Sequence, residues 1–250
     1  RYSNDPQLGG NVRWGMGSNF VLNGTIKPDF SQVEADAAQV AADQRFALFY
    51  PEKRPFFVEG NEQFNVPNTL VYTRTIVRPD AAAKFTGKFA GADVAILSAL
   101  DQSHGSVSGG RPLVNIVRLQ RGFAGQSTAG LLFSDRTGGG RDNHLLGGDV
   151  RLSFKRLYYA QIQAVGSATR TGDTTRTAPM WEALVDRTGR NWGFHYNVLA
   201  IHPDFRADNG FVPRTGFAQV GASNRFTGFG SAGSLFERFN VFVTLNGLWR

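Results

Sequence analysis

The chain has no cysteine, and it has only four histidines among its 250 residues. No disulfide therefore holds the fold, and a zinc site without cysteine would need closely spaced histidines, as in HxxxH or HxH. The four histidines show neither spacing: they are His104, His144, His195 and His202. The G-x-S-x-G elbow, the P-loop and a G-x-G-x-x-G motif between strand and helix are also missing. We therefore expect no cofactor and favour a protein without enzymatic activity.

Long hydrophobic runs are absent as well. No run of 18 apolar residues occurs, which excludes a membrane-spanning helix, and the mean hydropathy is -0.25. Glycine and aromatic residues are plentiful, with 30 glycines and 12% aromatics. Strand proteins use glycine at tight bends, and transmembrane barrels place aromatic residues at both membrane interfaces. The composition thus favours an exported protein rich in β-strands.

The charge is positive, but it is spread out. The formal net charge is +7, yet no basic cluster is longer than Lys155-Arg156. A basic stripe is the footprint that nucleic-acid binding needs, so we expect no nucleic-acid partner. The sequence opens at Arg1 without a charged and apolar leader, and we interpret it as an internal fragment.

Apolar and polar residues alternate with a period of two along much of the chain, as expected for strands with two different faces. Val12, Trp14 and Met16 lie opposite Arg13, and Leu152 lies opposite Arg151. The pattern recurs in about twelve segments. Outward faces carry tryptophan, tyrosine and phenylalanine, and the opposite faces carry charged and amide side chains.

Connection lengths distinguish a membrane barrel from a sandwich. Short turns at Gly17, Gly91, Gly122, Lys155 and Gly189 alternate with long connections. The predicted long connections are Pro28 to Ala81, Asp101 to Arg111, Arg136 to Asn143, Ala168 to Pro179, and His202 to Arg214. Short turns on one side and long loops on the other are typical of outer-membrane barrels.

The predicted fold is all-β: an antiparallel up-and-down transmembrane β-barrel, of which residues 1–250 form a single-domain fragment with one long folded loop. Its expected location is the bacterial outer membrane, with membrane lipid as a partner. A soluble, lipocalin-like cup remains the alternative, because its strands alternate in the same way.

The segment 28–81 is too long for a plain connection and is predicted to fold as a plug or gate. It contains an Ala-rich stretch, 36–49, that favours a short helix ending before Pro51. Its net charge is -3, so the rest of the chain carries +10. Opposite charges favour docking against the barrel wall, and a solvated extracellular flap is the alternative. The wall candidates are Arg13, Lys84, Lys88, Arg118 and Arg151, and the loop candidates are Glu52, Lys53, Arg54 and Glu59.

Two sets of acids invite a chemical interpretation. Asp29, Glu34 and Asp36 are weak calcium candidates, because calcium takes carboxylate oxygens in flexible geometry, although they lack the EF-hand order. Glu182 and Asp186 share one strand face, but four residues along a strand is roughly 13 Å, too far for either glycosidase geometry. We expect neither set to form a catalytic or firm metal site.

Several segments resemble signature segments of a known family. They are PDFSQVEAD, FALFYPEKRPFFVEG, YTRTI, AAAKFTGK and HPDFRADNGFVPRTGF. They are similar to the family called domain of unknown function 5916, whose members usually follow a family 9 carbohydrate-binding module in bacteria. The resemblance implies an outer-membrane barrel that handles polysaccharide. Two departures are that the carbohydrate module is missing from this sequence, and that the stretch 75–81 is shorter than in the family.

The functional expectation is a barrel that passes or binds a hydrophilic solute, either a saccharide or an anion, through a basic lumen gated by the loop. Two alternatives stay open: an outer-membrane enzyme acting on glycans, and a soluble β-rich carbohydrate-binding protein. Solubility without detergent would favour the last.

Overall fold

The computed structural model describes residues 9–28, 49–102 and 110–250. These residues form twelve strands and very little helix. The strands are β1 (Gly10–Met16), β2 (Phe20–Ile26), β3 (Pro79–Phe89), β4 (Ala92–Asp101), β5 (Leu113–Phe123), β6 (Ser127–Thr137), β7 (Arg141–Phe154), β8 (Tyr158–Thr171), β9 (Thr174–Arg187), β10 (Trp192–Ile201), β11 (Phe217–Phe229) and β12 (Arg238–Trp249). One short α-helix, α1 (Pro55–Val58), and 3₁₀ turns at Asn61–Phe64 and Thr73–Thr75 complete the described elements.

The strands form one antiparallel sheet in the order β1 to β12, each paired with its neighbours in sequence. The predicted all-β class and the count of about twelve strands are confirmed. The sheet is open, with β1 and β12 at its edges, and it is not closed into a barrel. In the part of the chain that the structure describes, no helix has the length and apolarity to cross a membrane.

The sheet has two faces of different character, because successive side chains on a strand point to opposite sides. We call one the covered face, since two connections pack on it, and the other the bare face. On β7, Leu146 is 67% exposed on the bare face, whereas Leu145 is 1% exposed on the covered face. The predicted alternation on the other strands gives the same division, with Arg13 and Arg118 on the covered side.

The connections also fall at two ends. At the turn end lie 17–19, 90–91, 124–126, 155–157, 188–191 and 230–237, and at the loop end lie 27–78, 102–112, 138–140, 172–173 and 202–216. The predicted long connections Arg136 to Asn143 and Ala168 to Pro179 are wrong, because the strands continue through most of both segments. Threonines favour extended backbone there, and Gly172, at φ 57, allows a two-residue turn.

Residues 49–78 and 202–216 together form what we call the covering layer. It packs at the loop-end half of the covered face through an apolar core. The layer contributes the buried side chains Phe57, Phe64, Leu70, Ile76 and Phe205. The sheet contributes Ala82, Leu97, Ala99, Val114, Ile116, Leu132, Leu145, Val165, Ala178, Met180 and Ile201. The covered face is therefore apolar toward the loop end and polar toward the turn end.

Two predictions concern residues outside the described part of the chain. The calcium candidates Asp29, Glu34 and Asp36 lie there, and so does nearly all of the predicted helix at 36–49. The described portion of the long connection begins at Phe49 and reaches β3 at Pro79.

Candidate functional site

Two of the predicted wall cations contact the covering layer. Lys84 on β3 is 2% exposed, and its Nζ donates hydrogen bonds to the backbone carbonyl oxygens of Phe56 and Glu59. Arg13 on β1 forms an ion pair with the Glu59 carboxylate at 2.9 Å, and both side chains are largely exposed. Because α1 ends at Val58, its last carbonyl groups are free to accept from a buried cation. The layer is thus held to the sheet directly after a helix end.

The predicted gate residues Glu52 and Arg54 pair with each other. Arg54 Nη2 lies 2.7 Å from Glu52 Oε2, and the Arg54 guanidinium also donates to the carbonyl oxygens of Thr73 and Ile76. Burial raises the pKa of Glu52, but the hydrogen bonds and charge of Arg54 and the hydrogen bond from Thr73 outweigh it, so this pKa lies below its ordinary value. The pair ties two parts of the layer together. Lys53 beside it is exposed.

The remaining wall candidates have other partners. Arg118 on β5 is fully buried and pairs with Asp149 on β7 at 2.6 Å, across the intervening strand β6. At Gly130, on β6 between them, an added Cβ would displace the Arg118 guanidinium, so glycine leaves room for the buried pair. Lys88 pairs with Asp93 at 3.4 Å beside the β3–β4 turn. The Arg151 guanidinium forms no hydrogen bond or ion pair with residues 49–78, and its buried Nε has no hydrogen-bond partner among the described residues.

The connection 202–216 was not recognised in the sequence as part of this site. Tyr72 N donates to Asn209 O at 2.7 Å, and Phe211 N donates to Thr69 O at 2.7 Å, so it pairs with the first segment through its backbone. Asn209 is 2% exposed, and its Nδ2 donates hydrogen bonds to Ser134 Oγ and to the backbone carbonyl oxygen of Asp135. The two parts of the layer therefore dock as one unit on β6.

A polar row continues on the covered face toward the turn end. Asn68, at the margin of the layer, donates to Gln163 Oε1 at 2.8 Å and to Glu182 Oε2 at 3.0 Å. Farther along, the row contains Tyr159 hydrogen-bonded to Gln161 at 2.8 Å, and His195 Nδ1 at 2.7 Å from Asp186 Oδ1. Gln161 Nε2 also donates to Glu182 Oε2 at 3.2 Å, so Glu182 and Asp186 each have a partner within the sheet. The row presents amides, carboxylates and a phenol.

The bare face carries an apolar band with sharp limits. On the three neighbouring strands β7, β8 and β9 it spans four alternate positions. They are Leu146, Gly148, Val150 and Leu152 on β7, Ala160, Ile162, Ala164 and Gly166 on β8, and Pro179, Trp181, Ala183 and Val185 on β9. At the loop end the next bare-face residues on β6 and β7, Asp135 and His144, lie 2.6 Å apart, and Asn115 Nδ2 on β5 donates to Asp135. On β8 and β9 the next bare-face residues are Ala168 and Thr177.

At the turn end the band is bounded by an aromatic cluster. The ring of Phe154 stacks on Tyr158, whose edge meets Phe194, and Phe194 in turn contacts Tyr196 and Trp192, with ring centroids 4.6 to 6.4 Å apart. The Trp192 N–H and the Tyr196 O–H both donate to Asn224 Oδ1. The Arg187 guanidinium lies over the rings of Tyr158 and Trp192. Aromatic rings with polar tips and a covering cation suit a boundary between apolar and aqueous surroundings.

Among residues 9–28, 49–102 and 110–250, no group of three or more histidine and carboxylate side chains is arranged to hold a metal ion. The described part of the site therefore offers hydrogen bonding, ion pairing and apolar contact as its chemistry.

The comparison with protein families gives one match. The family model described as "Domain of unknown function (DUF5916)" matches residues 1–89, which supports the family resemblance for that part of the chain. The match includes the PEKRPFF segment of the covering layer and all of β3, and it ends before the second segment, 202–216. No curated protein and no solved structure matches the chain.

Proposed function

We propose that this chain is a wall segment of a β-barrel in the bacterial outer membrane, with its bare face against lipid. The observation that carries the proposal is the bounded apolar band. From His144 to Phe154 along β7 there are ten residue steps. At about 3.3 Å per residue and a strand tilt of about 35–45°, these two limits of the band lie roughly 23–27 Å apart along the membrane normal. Transmembrane barrels have an outward apolar band of about 25 Å.

The two limits of the band support the same proposal. The aromatic cluster around Trp192 and Tyr196 resembles the interfacial girdle of such barrels, where rings lie at headgroup level and their polar tips meet water. The polar groups Asp135 and His144 at the other limit would then lie at the opposite interface. In water, by contrast, so large an exposed apolar face would be an aggregation hazard.

Within this barrel, we propose that the covering layer is a plug and that the protein binds or passes a hydrophilic solute, of saccharide or anionic class. The plug packs on the loop-end half of the covered face, and the polar row from Gln163 to His195 continues beyond it. Amide, carboxylate and phenol groups are suited to hydrogen-bond a polyhydroxylated molecule, and Arg151 and Arg225 on the same face add positive charge. Docking of the covering layer on the sheet does not require the two to carry opposite net charges, since the main contacts between them are apolar.

The membrane proposal is tested by two substitutions at one position. Ala183 lies in the middle of the band on β9. Ala183→Arg places a charge in the hydrocarbon region and is expected to destabilise the folded state by about 2–4 kcal/mol in lipid, whereas Ala183→Leu adds apolar volume and is expected to be tolerated. The measurement is unfolding by urea in lipid vesicles, followed by tryptophan fluorescence.

A soluble protein would give the reverse order, because an exposed arginine is readily solvated, and an added leucine enlarges an apolar patch. Equal stability of both variants, or extraction of the native protein without detergent, would contradict the membrane proposal.

The plug is tested by single-channel conductance in planar bilayers. Removal of residues 52–59 takes away the Glu52–Arg54 pair, Phe57 and the carbonyl groups that bind Lys84, and is expected to raise the conductance. The matched control removes residues 231–234 from the β11–β12 connection at the opposite end, which leaves the layer intact. Unchanged conductance in the first variant, with the barrel still folded, would mean that the layer does not obstruct a pore.

A further inference from the structure

A groove on the bare face ends at an arginine. It lies over strands β4 to β8 and has a volume of about 440 Å³. Its lining includes Arg121, Ala129, Leu131, Gly148, Val150 and Ala164. The small residues form a depression between larger apolar side chains, two of which, Leu131 and Ile162, are 60% and 56% exposed. The groove is therefore an apolar furrow within the band.

The arginine at its end has no partner in the described part of the chain. Arg121 is exposed, and its guanidinium takes part in no hydrogen bond or ion pair with any of these residues. Other bare-face arginines differ in this respect, since Arg187 lies over two aromatic rings and Arg170 is paired with Asp142. An unpaired guanidinium beside an apolar furrow is suited to an anionic group that carries its own apolar chain.

The groove runs from the edge of the band toward its middle. Arg121 is two residues from the turn-end limit of β5 at Phe123, and Ala164 is six residues from the turn-end limit of β8 at Tyr158. Measured from these limits, Ala164 lies four residues deeper than Arg121, which is roughly 13 Å along a strand, so the two ends of the groove lie at different depths. The exposed turn residues Lys155 and Arg156 add positive charge at the same end. A lipid in a bilayer has this shape, with a charged headgroup at the interface and an acyl chain extending inward.

We infer that this groove binds an anionic phospholipid of the membrane leaflet at the turn end, with the headgroup phosphate at Arg121 and an acyl chain over Ala129, Gly148 and Ala164. The inference rests on the proposed membrane location and goes beyond it, since a lipid-facing wall needs no lipid-specific site. The guanidinium would donate paired hydrogen bonds to phosphate oxygens, and the band would exclude water from the chain.

The experiment measures lipids retained by the protein after detergent purification, using native mass spectrometry with phosphatidylglycerol or phosphatidylcholine added at equal concentration. The wild-type protein is expected to retain phosphatidylglycerol about tenfold more, an effect of about 1.4 kcal/mol. Arg121→Gln is expected to reduce the ratio to near one. Arg190→Gln, which removes an arginine at the same end that lies over Phe229, should leave the ratio unchanged.

The apolar part of the site is tested by filling the groove. Ala129→Leu is expected to reduce retention of both lipids several-fold, whereas Ala183→Leu, on the same face outside the groove, should change neither. The inference is overturned if Arg121→Gln keeps the headgroup preference, if both leucine variants act alike, or if the wild-type protein shows no preference. Folding into vesicles is measured separately: a protein that inserts but shows no preference refutes the lipid site alone, and one that never inserts refutes the membrane proposal with it.

Discussion

The two faces of this sheet satisfy their side chains in different ways. On the covered face, apolar residues contact the covering layer, and the buried cations have partners within the chain: Lys84 has backbone carbonyl oxygens, and Arg118 has Asp149. On the bare face, no element of the described residues covers apolar side chains such as Leu146 and Ile162, and charged groups lie at the loop-end limit of the band. One face is completed by the chain itself, and under the proposed membrane location the other is completed by lipid.

This difference predicts where substitutions and salt should change the stability of the protein. A charge inside protein is costly when its partner is removed, because the remaining group stays desolvated. A charge on the rim is screened by water and salt, and its loss costs little. The stability of the covered face should therefore depend on a few buried partners, and that of the bare face on lipid.

The largest effect expected on the covered face follows from removal of Asp149. Asp149→Leu leaves the fully buried Arg118 without its carboxylate and should lower the free energy of unfolding by about 3–5 kcal/mol. Replacement of both partners, as in Arg118→Met with Asp149→Leu, should recover most of this loss. Urea unfolding in lipid vesicles provides the measurement.

The control for this pair is Asp93→Asn, which breaks the exposed Lys88–Asp93 pair near the same strands. It should cost no more than about 1 kcal/mol. If Asp149→Leu and Asp93→Asn lower the free energy of unfolding equally, the buried part of the covered face is no more sensitive to loss of a partner than its exposed rim, and the prediction is wrong.

A pH titration tests the pair inside the covering layer. Because the pKa of Glu52 is lowered in the folded state, this residue contributes stability that is fully present above its unfolded pKa of about 4.3 and is lost as the pH falls through the folded pKa. Hydrogen bonds to charged groups contribute about 1.5–3 kcal/mol, which sets the expected scale. Glu52→Gln should have a lower free energy of unfolding than the wild-type protein at pH 7, and this difference in free energy should become smaller below about pH 4.

Glu62→Gln, at an exposed position in the same layer, is the matched control. Its free energy of unfolding at pH 7 should differ much less from that of the wild-type protein. A Glu52→Gln gap that stays constant down to pH 3 would mean that the Glu52 carboxylate is not the group that stabilises the layer.

Much of the sheet could be predicted from the sequence, because the period-two pattern reports which residues share a face. The division between Val150 and Arg151, for example, is visible in the alternation alone. The connections 138–140 and 172–173 were mispredicted as long, since their flanking glycine and threonine residues have the composition of a loop. Threonine also extends strands beyond an apolar band, and periodicity disappears where both faces are polar.

The candidate site was predictable only in part. Lys84 and Arg13 were identified as wall residues, and the structure brings both to Glu59, but the attraction was expected from net charge. The contacts that dominate are the apolar core around Phe57 and a second segment bound through Asn209. Backbone hydrogen bonds between segments more than a hundred residues apart leave no periodic signal in a sequence.

The substitution with the smallest expected effect tests whether ion pairs or the apolar core hold the covering layer on the sheet. Glu59→Gln removes the exposed ion pair with Arg13 but leaves the carbonyl oxygen of residue 59 as an acceptor for Lys84, so it should cost no more than about 1 kcal/mol. Screening by salt does not weaken apolar contacts such as those of the buried core around Phe57, whereas raising the salt concentration from about 0.15 to 1 M shortens the screening length from about 8 to 3 Å and weakens exposed ion pairs. Protease cleavage within 49–78 should therefore hardly change in the variant or at high salt. Rapid cleavage of the wild-type layer at 1 M salt, matched by Glu59→Gln at low salt, would show instead that ion pairs with the sheet hold the layer in place.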